Sequence, residues 1–182
     1  MSFRRIVLAA LTSIACTVAL LPGSPAHAVA GDGWYRIRNV HSGLYLQGRT
    51  DEIGVGVVQV VGNSSASNGG WTDPRQDWLW VRDGSNVRFR NAAADWAALT
   101  VSSGAASTTK PIIQWPNSTT NLDQLWALTP VPGLVNTYTL RNPKSNKCLA
   151  IPNANTSTGI QAIIWTCEAG HEEQQWNIND NL

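Results

Sequence analysis

The triplet Gln-x-Trp occurs three times, at Gln76-Asp77-Trp78, Gln124-Leu125-Trp126 and Gln174-Gln175-Trp176, with its Gln positions 48 and then 50 residues apart. A marker of different composition keeps the same period: Arg38-Asn39, Arg90-Asn91 and Arg141-Asn142 are 52 and then 51 residues apart. Two unrelated markers in one register mean that residues 31–84, 85–132 and 133–182 are three copies of one unit. A chain of this kind has to bury three equivalent faces against one another.

Within a unit the pattern is one of short strands with period two, separated by Gly, Asn and Ser turns. Each Arg-Asn ends an alternating stretch: Trp34-Tyr35-Arg36-Ile37, Val87-Arg88-Phe89 or Tyr138-Thr139-Leu140. The third copy predicts strands over Tyr138 to Arg141, Cys148 to Ile151, Ala162 to Thr166 and Trp176 to Asn179. No segment after the first thirty residues shows a helical face. Four strands in each of three units suit a closed all-β barrel capped by hairpins. Trp34 to Arg38 and Trp176 to Asn179 would lie side by side and close the ring.

The first thirty residues stand apart. Arg4-Arg5 precede an almost continuous apolar run from Ile6 to Leu21, Pro22-Gly23 breaks it, and Ala26-His27-Ala28 has the small-x-small form of a cleavage site. The reading is a secretory signal peptide over residues 1–28 and an exported domain over 29–182, with Ala30 as the alternative cut. A membrane anchor is a rival, but the apolar run is short for spanning. Lipid attachment at Cys16 and twin-arginine export are further alternatives, each with a poor match in the flanking residues. Export leaves Cys148 and Cys167, and two thiols in an oxidising compartment most simply pair. Such a bond would contribute about 3 kcal/mol by closing its loop. Two Cys with the scattered His41 and His171 do not make a metal site, so neither metal nor cofactor is expected. The formal net charge is +1 with 14% charged residues, which gives no electrostatic reason to expect nucleic acid or an anionic membrane.

Three Gln-x-Trp repeats on an all-β chain resemble the ricin B-type lectin domain, and the resemblance covers residues 31 to 182. The third copy is the most similar, in Ser145-Asn146-Lys147-Cys148-Leu149-Ala150-Ile151 and Ile164-Trp165-Thr166-Cys167. The resemblance implies a β-trefoil of three pseudo-symmetric four-stranded repeats, carbohydrate as the partner, and a Cys148–Cys167 disulfide. Trp78, Trp126 and Trp176 are expected in a shared core, with the Gln and Arg-Asn residues serving turns.

A pyranose offers hydroxyls in fixed directions and an apolar C–H face, so a site for it needs polar groups above an aromatic floor. The family pattern has an Asp after the Cys-Leu strand, an aromatic on the third strand, and Asn with Gln at the Gln-x-Trp start. This chain has Gln47, Thr100 and Ala150 at the Asp position and Val61, Trp115 and Trp165 at the aromatic one. Arg75, Asp123 and Glu173 precede the three Gln residues. The second copy is therefore the favoured site, with Trp115, Asp123, Gln124 and Thr100, the last as a hydrogen-bond donor. Trp165, Glu173 and Gln174 form the third site, and Gln47 and Gln59 the first. From Val61 to Gln76 is 15 residues, against 9 for each counterpart. The surplus makes a polar loop whose Trp71 could stack on a sugar, contact a partner or tuck onto the barrel. Asn63, Asn117 and Asn155 begin glycosylation triplets, which matter only in a host that uses them.

The leading expectation is a secreted sugar-binding module without catalysis. The alternative is a protein-interaction or inhibitory trefoil that has lost sugar recognition, supported by the three missing acids. An enzyme is disfavoured: no nucleophile motif accompanies His41 and His171, and Glu172-Glu173, read as strand neighbours, would point to opposite faces.

Overall fold

Each unit lays down four strands in order. The first gives β1 (Gly33–Asn39), β2 (Tyr45–Gly48), β3 (Val57–Val60) and β4 (Trp78–Asp83). The second gives β5 (Asn86–Asn91), β6 (Ala98–Val101), β7 (Ile112–Trp115) and β8 (Ala127–Pro130). The third gives β9 (Thr137–Asn142), β10 (Lys147–Ala150), β11 (Ile163–Trp165) and β12 (Gln175–Asn179). A computed structural model of the chain describes residues 33–62, 73–102 and 109–179. The expected signal peptide with Cys16, and Asn63 and Trp71 of the long loop, lie outside the described residues.

First and fourth strands make a six-membered ring. β1 pairs with β4, β4 with β5, β8 with β9, β9 with β12 and β12 with β1, all antiparallel. Val87 and Trp126 exchange both backbone hydrogen bonds at 2.9 Å and join β5 to β8, which completes the barrel. The expected meeting of the two ends is present, with Ile37 opposite Ile178 and Asn39 opposite Trp176. The second and third strands of each unit form hairpins, bridged to one another through Gly56–Ile113, Val58–Gln161 and Pro111–Ile163. The result is a barrel closed at one end by three hairpins, the β-trefoil expected from the repeat.

The threefold repetition extends to individual atoms. Trp78, Trp126 and Trp176 are fully buried, and each indole Nε1 donates to the backbone oxygen of Leu46, Leu99 or Leu149, at 3.1, 3.0 and 3.0 Å. Burial leaves no water for the indole N–H, so the facing carbonyl satisfies it. The Asn of each Arg-Asn pair does two jobs. Oδ1 of Asn39, Asn91 and Asn142 accepts from the backbone N–H of Ser42, Ala93 and Ser145 and shapes the hairpin turn. Their Nδ2 groups donate to Glu173, Arg75 and Leu122 carbonyls of the Gln-x-Trp turn before them in the ring. Each unit is thereby tied to the previous one.

Cys148 and Cys167 are joined, as expected. One expectation needs correcting. Glu172 and Glu173 lie in a 3₁₀ turn, Glu172–Gln174, and not in a strand, so alternation of faces does not apply to them. Equivalent turns, Pro74–Gln76 and Leu122–Gln124, precede the other two core tryptophans.

Candidate functional site

Strand register settles which positions correspond. Leu46, Leu99 and Leu149 stand opposite Gln59, Gln114 and Ile164, and the residues after them are Gln47, Thr100 and Ala150. Trp115 opposes Ala98 and Trp165 opposes Cys148, whereas Tyr45 opposes Val60. The aromatic position of the first unit is therefore Val60 and not Val61. The variable loop beyond Val61 offers no marker from which to count back, while the paired strand does.

In the second unit Trp115 ends β7 with 47% of its surface exposed. It lines a cavity of about 300 Å³ together with Thr100, Val101, Ile113, Asn121 and Asp123. Asn121 caps the 3₁₀ turn, its side chain accepting from the Asp123 backbone N–H at 3.0 Å. The Asp123 carboxylate receives Lys144 Nζ at 2.8 Å, from the β9–β10 turn of the next unit. Thr100 does not have the donor role expected of it. It is buried, and its hydroxyl donates to the Ala98 carbonyl at 2.7 Å, which leaves only lone pairs for a ligand.

Gln124 belongs to the scaffold of this site. It is fully buried, Oε1 accepting from Ser118 N–H at 2.9 Å and Nε2 donating to the Pro116 carbonyl at 2.8 Å. Arg88, in β5, reaches the same loop. Its Nη1 donates to the Asn121 carbonyl and its Nη2 to the Thr119 carbonyl, at 3.0 and 2.9 Å, while Asp83 holds Nε at 2.7 Å. The floor of the barrel thus fixes the loop that faces Trp115. Nothing local in the sequence marks Arg88 for this, because the loop lies some thirty residues away.

The third unit has the larger cavity, about 590 Å³, with Trp165 (39% exposed) on one side and Glu168, His171 and Glu173 among its lining. Ala150 contributes no polar side chain there, yet Glu168, His171 and Glu173 supply polar groups to the same lining. His171 sits between two carboxylates, Nδ1 at 2.8 Å from Glu173 and Nε2 at 3.0 Å from Glu168. Its pKa is raised above the ordinary 6.5, chiefly by the hydrogen bond to Glu173, with both carboxylate charges adding to it. Glu168 was not singled out from the sequence, and His171 was weighed there as a metal or catalytic residue and not as part of a sugar site. The nine-residue span between Trp165 and Gln174 was the available signal, since it matches the span that carries Asn121 and Asp123. Gln174 lines this cavity, but its amide is engaged with Glu168 N–H and the Thr166 carbonyl.

In the first unit Gln47 is buried and accepts from Gln76 Nε2 at 2.9 Å, a contact between two scaffold amides. Gln59 is also fully buried and acts elsewhere. Its Nε2 donates to the carbonyls of Asn155 and Ser157, and so grips a turn of the third unit. Gln114 grips Thr50 and Glu52 of the first unit in the same manner. The structure therefore brings together Trp115 with Asp123, and Trp165 with Glu173. It places Gln47, Gln59, Gln124 and Gln174 in the frame around them.

Among the described residues no group of three or more His, Cys, Asp or Glu is placed to hold a metal ion. No helix among them is long and apolar enough to cross a membrane.

Comparison with known families matches residues 33–176 to the model described as the ricin-type beta-trefoil lectin domain. Comparison with curated protein sequences finds no match. Among solved structures, the designed 3-fold symmetric protein ThreeFoil superposes with a TM-score of 0.70 at 28% identity, over 82% of this chain and 99% of that one. The Macrolepiota procera ricin B-like lectin, solved in complex with lactose, gives 0.65 at 17% identity, over 83% of this chain and 97% of that one. The exo-beta-1,3-galactanase 1,3Gal43A from Clostridium thermocellum gives 0.67 at 22% identity, and the match covers 80% of this chain but 29% of that one. At these identities the last two are likenesses of fold.

Proposed function

The chain belongs to the ricin-type β-trefoil lectin domain family, and from that premise we propose that it is a secreted carbohydrate-binding module without catalysis of its own. It holds pyranose rings at two sites, on Trp115 and on Trp165. One observation carries the reading. Trp78, Trp126 and Trp176 have no exposed surface, whereas Trp115 and Trp165, at equivalent places in two units, are part-exposed and line cavities that also hold Asp123 in one case and Glu168 and Glu173 in the other. A solvated indole ring is costly surface for a stable domain to leave uncovered, and it suits the C–H face of a sugar. Secretion rests on residues 1–28 and the paired cysteines.

Shallow single sites of this kind correspond to Kd values of about 1 mM, roughly −4 kcal/mol. Two sites on one rigid body gain strength together on a ligand that repeats. The test is retention of the exported protein on a glycan array and on insoluble polysaccharides. Binding that falls in Trp115→Ala and Trp165→Ala and vanishes in the double variant supports the proposal. Silence across a broad panel overturns it and favours the second reading, a trefoil that binds protein. That reading draws on Ala150 and on Thr100, whose hydrogen is already committed.

A further inference from the structure

A second aromatic surface lies outside both cavities. Trp96 is 48% exposed, and its ring centroid is 5.4 Å from that of Trp34 at an interplanar angle of 41°. The two residues meet across a turn that departs from the threefold pattern. Arg38 opposes Tyr45 and Arg141 opposes Cys148, but Arg90 opposes Ala98, so the β5–β6 turn is one residue longer than its counterparts. The extra residue is absorbed by Asp95 and Trp96, both left-handed, at φ 45° and 62°. A bulky L-residue rarely adopts that conformation, and here it carries the ring outward to Trp34.

The altered turn also changes the arginine beneath it. In the other two units the turn holds that side chain: Arg38 Nε donates to the Gly43 carbonyl at 2.9 Å and Arg141 Nη1 to Asn146 Oδ1 at 2.6 Å. Arg90 Nε is buried with no hydrogen-bond partner among the described residues.

Register ties this surface to the second cavity. Trp34 opposes Leu79, Leu79 opposes Arg90, Arg90 opposes Ala98, and Ala98 opposes Trp115. Directly opposed residues project from the same face of a sheet, so these five form one row, with Trp115 exposed at one end, Ala98 fully buried next to it, and Arg90, Leu79 and Trp34 half-buried along the rest. Four strand steps of about 4.8 Å separate its ends by roughly 19 Å measured along the sheet.

We propose that the Trp34–Trp96 pair is a further sugar-stacking platform, and that the row from it to Trp115 takes one continuous polysaccharide chain. One ring of the chain lies on Trp115 and a later ring on the paired indoles, with the half-buried Arg90 in the row between them. This rests on the lectin reading and specifies its ligand as a polymer bound along its length, in place of a single terminal sugar.

The test separates the two claims. Wild type and Trp96→Asn are assayed on insoluble chitin, β-1,3-glucan, xylan and galactan. Both are then titrated with the mono- to hexasaccharides of whichever polymer wild type retains. Asn tolerates the left-handed backbone, and Trp96→Gly serves as a second variant with the same freedom. Melting curves confirm that both are folded. Wild-type affinity is expected to rise about tenfold with chain length, and to stay flat in both variants. Trp115→Ala weakens every length. Variants that keep the wild-type dependence on length overturn the platform and leave the lectin reading intact. A wild type that binds none of these probes overturns both.

Discussion

Trp115 and Trp126 lie eleven residues apart in one unit and illustrate how the same side chain serves opposite ends. Trp126 is fully buried with its N–H on the Leu99 carbonyl, so Trp126→Phe leaves that buried acceptor without a partner. A loss of about 1–3 kcal/mol in chemical denaturation is expected. Trp115→Ala should shift stability by about 0.5 kcal/mol or less while removing binding at that site. A Trp115→Ala protein that unfolds as readily as Trp126→Phe would contradict the assignment of scaffold and site. Gln124→Ala should behave like the scaffold: it frees Ser118 N–H and the Pro116 carbonyl, and binding should fall in proportion to the disordered loop. His171 supplies a pH dependence. Its folded pKa is raised, so the ion pairs with Glu168 and Glu173 are complete below 6.5 and are lost as pH rises through the folded value. NMR titration of the imidazole should give a midpoint above 6.5, moving back toward it in Glu173→Gln. A midpoint unmoved by that substitution would remove Glu173 as the main cause.

At the scale of elements, the conserved geometry resides in turns. The Asn91 side chain both shapes the β5–β6 turn and holds the Arg75 carbonyl of the preceding unit, and it is fully buried. Asn91→Ala leaves two backbone groups unpaired and should cost about 2–4 kcal/mol, read as a lowered denaturation midpoint with an unchanged m-value. The strands, the ring closure and the core tryptophans were legible in the sequence, because each depends on local alternation or on a marker repeated at fixed spacing. The site was legible only in part. Trp115, Trp165, Asp123 and Glu173 follow from the repeat, since they lie on the strand or turn that the markers define. Lys144 on Asp123 and Gln59 on the third unit come from other units, Arg88 reaches the Asn121 loop from the far end of its own unit, and no local spacing encodes any of them. Val60 was misplaced by one residue, and the 3₁₀ turn at Glu172 was read as strand, because both sit where a variable loop meets a short element.

The whole molecule is a ring, and a ring has no required beginning. Arg36 stands opposite Asn179, so the two ends of the described barrel lie on adjacent strands, with Gly33 about 10 Å further along. The link between β8 and β9 is chemically of the same kind as the contact between β12 and β1: both join one unit to the next through antiparallel pairs. It runs through Pro132, Gly133, Leu134 and Val135, all exposed, with one backbone hydrogen bond from Leu134 N–H to the Val131 carbonyl. A circular permutant that begins at Leu134, joins residue 179 to Gly33 through a short Gly/Ser linker and ends at Gly133 therefore keeps every strand pair. It should fold to the same β-sheet spectrum, melt cooperatively within several degrees of the parent, and retain polysaccharide binding. An opening between Leu125 and Trp126 gives the contrasting case. It separates the Trp126 indole and the Val87 bridge from the turn that positions them, and should abolish cooperative unfolding. If both permutants folded equally well, the units would not depend on the Gln-x-Trp turns for their assembly. If neither folded, the closure of the ring would require a chain order that the threefold geometry does not explain.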